Sequence, residues 1–313
     1  MAMTWLNGRL VGDTQASVSL HDAGLLHGMG VFTTLRAYGG KVFAVADHLR
    51  RVRRSCQALN IPLNWSDGQM GEAMSQIVLA NNLREARVRL TLTPGDSGYP
   101  FAESPGTGTA FVTAVALRPY AAEFYNSGMN VTSCNTQKLN PYDIQAGHKT
   151  INYLSRLAGL RLARSGDAQE ALWFDIHDNL VSATMGNVFL VKRGMLHTPA
   201  TQDELEPAEQ GGRICNAMSN VLPGVARKCV LELAKREGIS VRVSPLNLRD
   251  VMQADEIFMT NSIMEVMPIG RIDGKPAGKG HIGDLTQRLA MLYRYTVDAF
   301  VQGAVVALHR SAP

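Results

Sequence analysis

Ala146-Gly147-His148-Lys149-Thr150-Ile151-Asn152-Tyr153-Leu154 sets one lysine in a stretch that is otherwise small, polar or apolar. Lysine is scarce here, eight of the 31 Lys and Arg residues, and Lys149 is the one so embedded. Partial burial penalises the charged form and lowers a lysine's pKa, and only the free amine attacks an aldehyde, so the setting suits imine chemistry. By itself the nonapeptide reads more readily as an ordinary surface lysine. The rest of the chain decides between the two.

Downstream, periodicity predicts a helix over 152–165, strands over 171–175 and 187–191, a helix over 225–237 opened by Leu222-Pro223-Gly224, and strands over 240–243 and 256–260. Upstream, Trp5-Leu6-Asn7-Gly8 is a hairpin signal, strands over 31–37 and 41–43 flank the turn Tyr38-Gly39-Gly40, and a helix capped by Asp47 is expected over 47–59. A second helix is expected over 68–81, then strands over 87–93 and 109–117 separated by a Gly/Pro/Ser-rich loop, with regular structure broken over 119–127 and a strand at 129–134. Helices and strands mix without strict alternation, which predicts an α+β fold or a mixed sheet rather than a doubly wound layer. The expected division is a smaller N-terminal α/β domain (residues 1–118), a connecting loop (119–127) and a larger C-terminal domain (128–313).

At 313 residues and 45% hydrophobic the chain has enough apolar surface for a sizeable core. No run approaches the roughly 18 apolar residues of a membrane span, and the start has neither the basic flank nor the apolar stretch of a signal peptide, so a cytoplasmic protein without a membrane partner is expected. Cys56, Cys134, Cys215 and Cys229 are scattered without metal-like or disulfide-framework spacing, and no metal site is expected. A net charge of +4 is spread along the chain and aromatics are 6%, which argues against nucleic acid. The run Leu49-Arg50-Arg51-Val52-Arg53-Arg54 lies on a helix whose apolar stripe is Leu49, Val52, Cys56 and Leu59, so most of these arginines form a solvated face.

Two catalytic motifs fail on inspection. Gly95-Asp96-Ser97-Gly98 looks like the surroundings of a serine nucleophile, but no histidine stands in the context such a serine requires, and the tetrapeptide reads as a turn. Gly28-Met29-Gly30 is followed by Val31-Phe32 and not by a third glycine opening a helix, so it is a tight turn rather than a dinucleotide fingerprint.

Three blocks carry a resemblance: residues 21–32 (HDAGLLHGMGVF), Asp47-His48-Leu49-Arg50-Arg51, and residues 147–154 (GHKTINYL). With Asn187-Val188-Phe189-Leu190-Val191, Leu222-Pro223-Gly224-Val225-Ala226-Arg227 and residues 254–262 (ADEIFMTNS) in the same order, the chain resembles the class IV, fold type IV aminotransferases, of the branched-chain aminotransferase and aminodeoxychorismate lyase kind. The resemblance implies pyridoxal 5'-phosphate as cofactor, held between the two domains, in a homodimer acting on small-molecule amino acid and keto acid substrates. It makes Lys149 the catalytic Schiff-base lysine and proton shuttle, and Arg51, three residues after His48, a phosphate ligand. Val225 and Ala226 would offer amides at a helix start, though Ala226 lacks the hydroxyl common at its position, and Asn261 and Ser262 would complete the phosphate cup. Tyr153 would bond the cofactor's phenolic oxygen, one residue nearer the lysine than in branched-chain enzymes.

The main departure is Ser182. The family's glutamate facing the cofactor ring nitrogen stands five residues before the Asn-Val-Phe block; here that position is Ser182, in a stretch, residues 180–186, with no acid. A hydroxyl does not replace a carboxylate's stabilisation of a pyridinium. Pro94 stands where the D-amino-acid enzymes have arginine, which disfavours that specificity. The resemblance therefore implies a transaminase for a small, branched-chain-like amino acid. Phe32-Thr33-Thr34 and Met267-Pro268 keep a 4-amino-4-deoxychorismate lyase as the alternative, and the missing glutamate keeps a degenerate cofactor-binding protein as a remote one.

Overall fold

Asn7 and Gly8 adopt φ of 47° and 94°, the left-handed pair that a two-residue hairpin needs, and so join strand Met3–Leu6 to strand Arg9–Gly12. The structure, a computed structural model, describes residues 2–96, 107–205, 208–210, 213–215 and 218–303; Ser97 of the discarded nucleophile motif lies outside them. The chain divides into two compact units. The first is Met1–Arg118 with His148–Tyr153 and Ala299–Ala304, and the second is Pro119–Gly147, Leu154–Asp298 and Val305–Pro313.

The first unit is an antiparallel six-stranded sheet in the order Arg9–Gly12, Met3–Leu6, Thr109–Ala116, Ala86–Thr93, Val31–Tyr38, Lys41–Val42. Helices Val45–Ala58 and Asp67–Ala80 pack on it, and Leu35, Val88 and Leu90 of the sheet meet Leu49, Val52, Met74 and Ile77 of the helices in one core. The Ser66 side chain accepts from the Gln69 amide while Gln69 accepts from the Ser66 amide, a reciprocal cap that fixes where the second helix begins. The first helix corrects the sequence reading. Asp47 lies inside it, paired with Arg50 at 2.6 Å, and the cap position is Ala44, which enters at φ 54° without a side-chain bond. Phe300 packs edge-on against Phe43 at 5.1 Å, and Lys41 Nζ donates to Val301 O at 2.7 Å, which ties the chain's last helical turn into this unit.

The second unit is built on a nine-stranded mixed sheet. Its order is Val241–Val243, Met195–Thr198, Asn187–Lys192, Glu256–Asn261, Glu265–Ile272, Met129–Leu139, Glu170–Asp175, Leu180–Ala183, with Lys275–Pro276 added beside Glu265–Ile272. Three of its pairings are parallel, so the mixed sheet expected from non-alternating elements is what forms. Helices Leu154–Ser165 and Val225–Arg236 belong to this unit, as does most of Asp284–Val301. Residues 119–127 are not wholly irregular, because Ala122–Ser127 forms a short helix closed at Gly128. Among the described residues no helix is long and apolar enough to cross a membrane.

Candidate active site

In the first unit, Lys149 is placed by backbone bonds and not by a helix. Phe32 N donates to Lys149 O at 2.9 Å, Ile151 N donates to Gly30 O at 2.9 Å, and Thr150 bridges Val31. Gly30 is required for that approach, since a Cβ there would lie 2.8 Å from Leu92 O. Lys149 Nζ donates to Tyr153 Oη at 3.0 Å, and Phe32 packs edge-on against Tyr153 at 5.3 Å between ring centroids. The Lys149 ammonium lies 4.8 Å from the Phe32 ring centroid, and the Arg89 guanidinium 3.7 Å from it.

Helix spacing puts His48 and Arg51 on one face, and both converge on buried Thr33. Arg51 Nη2 donates to Thr33 Oγ1 at 2.8 Å, so the Thr33 hydroxyl spends its hydrogen on His48 Nδ1, 2.7 Å away. His48 accepts it because burial, together with the charges of Arg51 and Lys149, drives its pKa well below the ordinary value and keeps the ring neutral. Burial pulls Arg51 down to about 10, opposed by Tyr153, and leaves it a cation at neutral pH. Arg50 and Arg53 by contrast face solvent.

In the second unit, Gly224 caps the helix Val225–Arg236, and Lys228 N returns the first helical bond to Gly224 O at 2.9 Å. The amides of Val225 and Ala226 therefore have no acceptor within the helix and carry the positive end of its dipole. Asn187 anchors this start: its Nδ2 donates to Leu222 O at 2.9 Å, and a Cβ on Gly224 would come within 2.0 Å of Asn187 Oδ1. Next to Asn187 across the sheet is Thr260, buried, with an Oγ1 that has no hydrogen-bond partner among the described residues. Asn261 ends the strand Glu256–Asn261. Its side chain is taken up by its own turn, accepting from Ile263 N and Met264 N and donating to Met185 O, so it shapes the turn on which Ser262 stands.

The chain is similar in sequence and fold to known proteins. The family model for class IV amino-transferases covers residues 30–272. A Methanocaldococcus jannaschii protein, provisionally named a branched-chain-amino-acid aminotransferase, is 33% identical over 91% of this chain and 93% of its own. The branched-chain-amino-acid aminotransferase of Salmonella typhimurium is 29% identical over 92% of this chain and 91% of its own. The crystal structure of the Escherichia coli branched-chain enzyme superposes with a TM-score of 0.83 at 27% identity, covering 97% of this chain and 95% of that one. The chain belongs to the class IV aminotransferases. It is thus a pyridoxal-phosphate-dependent transaminase of fold type IV.

A class IV aminotransferase must hold a phosphate and an aldehyde, and the donor set present suits both. In the second unit, helix-start amides without an acceptor in the helix and the Thr260 hydroxyl, which has no partner among the described residues, are donors of the kind a phosphate takes; in the first unit a buried guanidinium is another, and an amine beside a phenol suits an aldehyde. Two residues escaped the sequence reading. Arg89 is masked by strand alternation, which makes it look like a solvent-facing partner of Arg87, and only the pairing of its strand with Val31–Tyr38 brings it to Phe32. Arg227 was read as part of a helix start, yet its buried guanidinium donates to Glu204 at 2.7 and 3.0 Å, to Pro199 O at 3.1 Å and to Thr198 Oγ1 at 3.4 Å, clamping the first turn of that helix.

One buried acid of the strand paired with Leu180–Ala183 is Glu170. It accepts from Thr184 N at 2.9 Å, beyond the end of that strand, and not from Ser182. Burial raises its pKa from 4.5 to about 7 despite hydrogen bonds from Thr184, Ala171 and Met185. The folded state thus favours the protonated acid: this contribution to stability is complete below pH 4.5 and is lost as pH rises through about 7. Glu170→Gln, which keeps an acceptor for Thr184 N, is expected to flatten the stability curve over that window by about 3 kcal/mol. Equilibrium urea unfolding at pH 5 and pH 8 measures it, and a wild-type slope retained in the variant would count against the shift.

Proposed function

We propose that this class IV aminotransferase moves an amino group between a small, branched-chain-like amino acid and a 2-keto acid, with Lys149 as the catalytic amine. The observation that carries the proposal is Lys149 Nζ at 3.0 Å from Tyr153 Oη, held in register by the Phe32 and Ile151 backbone bonds. Bound pyridoxal phosphate supplies an aldehyde that takes up the amino group and a ring that draws off electron density. Lys149 would hold the cofactor through its amine and would move the substrate's α-proton. Tyr153 orients that amine and bonds the phenolic oxygen. Arg51, the amides of Val225 and Ala226, Thr260 and Ser262 would hold the phosphate, with Asn261 in the turn that carries Ser262, and Ser182 would serve the ring nitrogen.

The rings of Phe32 and Tyr153 offer apolar surface to a branched side chain, and Arg89 offers a cation to a substrate carboxylate. The names of the relatives support the branched-chain preference. Thr33 holds Arg51 and His48, so Phe32-Thr33-Thr34 has a structural use that requires no lyase chemistry. Homodimerisation follows from the same reading, and exposed Leu25 and Leu26 of the first unit and Leu154 and Leu162 of the second support it. A cytoplasmic setting agrees with the buried thiols of Cys56 and Cys134.

An amino-donor screen with a 2-keto acid acceptor tests the proposal. Leucine, isoleucine or valine is expected to give the highest kcat/KM, followed as loss of the cofactor's visible absorbance. Turnover of D-alanine alone, or pyruvate release from aminodeoxychorismate without amino transfer, would sink it.

A further inference from the structure

Ser182 stands directly opposite Trp173 across the strand pair Glu170–Asp175 and Leu180–Ala183. Helix Leu154–Ser165 lies on that tryptophan, and Gly159 permits the approach, since a Cβ there would be 2.5 Å from Trp173 Cζ2. Three residues earlier on the helix, the Arg156 guanidinium sits 5.5 Å from the Trp173 ring centroid, and its Nη1 donates to Ser182 Oγ at 3.2 Å. The polarity of this contact is fixed, because a guanidinium donates and never accepts. Ser182 Oγ is therefore the acceptor toward Arg156, and its own hydrogen is left to point onward. A carboxylate at this place would accept a hydrogen bond from a protonated ring nitrogen; a hydroxyl already accepting from a cation has its own hydrogen to donate to an unprotonated one.

We propose that Arg156 and Ser182 act as one unit that hydrogen-bonds the cofactor's ring nitrogen in its unprotonated form, with Arg156 as the positioning residue and Ser182 as the donor. The inference rests on the proposed placement of Ser182 against that nitrogen. A cation behind the hydroxyl disfavours a pyridinium ahead of it, just as a neighbouring carboxylate would favour one. Glu170 does not restore the pyridinium, because burial favours its neutral form and it accepts from Thr184 N, not from Ser182. The electron sink is thereby weakened, and proton transfer at the α-carbon depends more heavily on Lys149.

The test is the nitrogen NMR shift of holoenzyme loaded with pyridoxal phosphate labelled with 15N in the ring. Wild type is expected at the downfield position of a neutral pyridine, unchanged from pH 6 to pH 8. Ser182→Glu combined with Arg156→Leu is expected to move it upfield to the pyridinium position. A wild-type signal at the pyridinium position overturns the inference while leaving the proposed function standing, and a double variant that stays neutral does the same. A chain that takes up no cofactor overturns both.

Discussion

Lys149→Ala is expected to abolish the visible absorbance of the cofactor-loaded enzyme and to lower transamination on the order of 10^4-fold or more, with far-UV circular dichroism unchanged. The size follows from losing two functions at once, covalent attachment of the cofactor and the positioned acid and base, the latter alone contributing about 10^2 to 10^4. The fold is expected to survive because Lys149 is positioned through main-chain bonds at Phe32 N and Thr150, which alanine retains. Phosphate-driven binding should persist, since Arg51 and the amides at Val225 do not depend on the amine. A variant that kept the native absorbance would defeat the assignment of Lys149.

The second large effect is on stability. Arg227→Leu removes the buried side of an ion pair, an arginine 3% exposed, and leaves Glu204, Pro199 O and Thr198 Oγ1 short of donors. Because the Glu204 side chain reaches water, the loss is that of the buried hydrogen bonds, about 1–3 kcal/mol. Although burial pushes the Glu204 carboxyl up, the hydrogen bond and charge of Arg227 hold it below its ordinary 4.5. For an acid with a depressed folded pKa, that part of the stability is present above pH 4.5 and is lost as pH falls through the folded value. The gap between wild type and variant should therefore narrow in acid. Urea midpoints at pH 7 and pH 4 measure this, and a variant within 0.5 kcal/mol of wild type would show that the clamp is idle. Because Arg227 lies in the first helical turn, phosphate affinity should fall with stability, whereas an exposed arginine such as Arg50 should affect neither.

The sequence discloses those parts of the site that depend on local chemistry. Lys149 stands out because its neighbours carry no competing charge apart from a histidine, and Leu222-Pro223-Gly224 marks a helix start whatever surrounds it. His48 and Arg51 are legible together because three residues on a helix is one face. What depends on distant segments meeting is not legible. Arg156 gains its meaning from Gly159 letting a helix settle on Trp173, and from Trp173 standing opposite Ser182, which no single segment reveals. Arg89 alternates like a solvent-facing residue until its strand pairs with Val31–Tyr38. The cap at Asp47 failed for a related reason. The chain enters that helix through left-handed Ala44 straight from the preceding strand, which moves the start two residues upstream of Val45–Ala58's first acid. The short helix Ala122–Ser127 is too brief for periodicity to register.

The first unit takes residues from three separated stretches, the last of them reaching Phe300 and Val301. A growing polypeptide cannot finish this unit when its first 118 residues leave the ribosome. The strand at Val31 must wait for residues 148–153 to be made, and Phe43 must wait for residue 300. A product cut short before residue 300 would therefore leave apolar surface uncovered in the part made first.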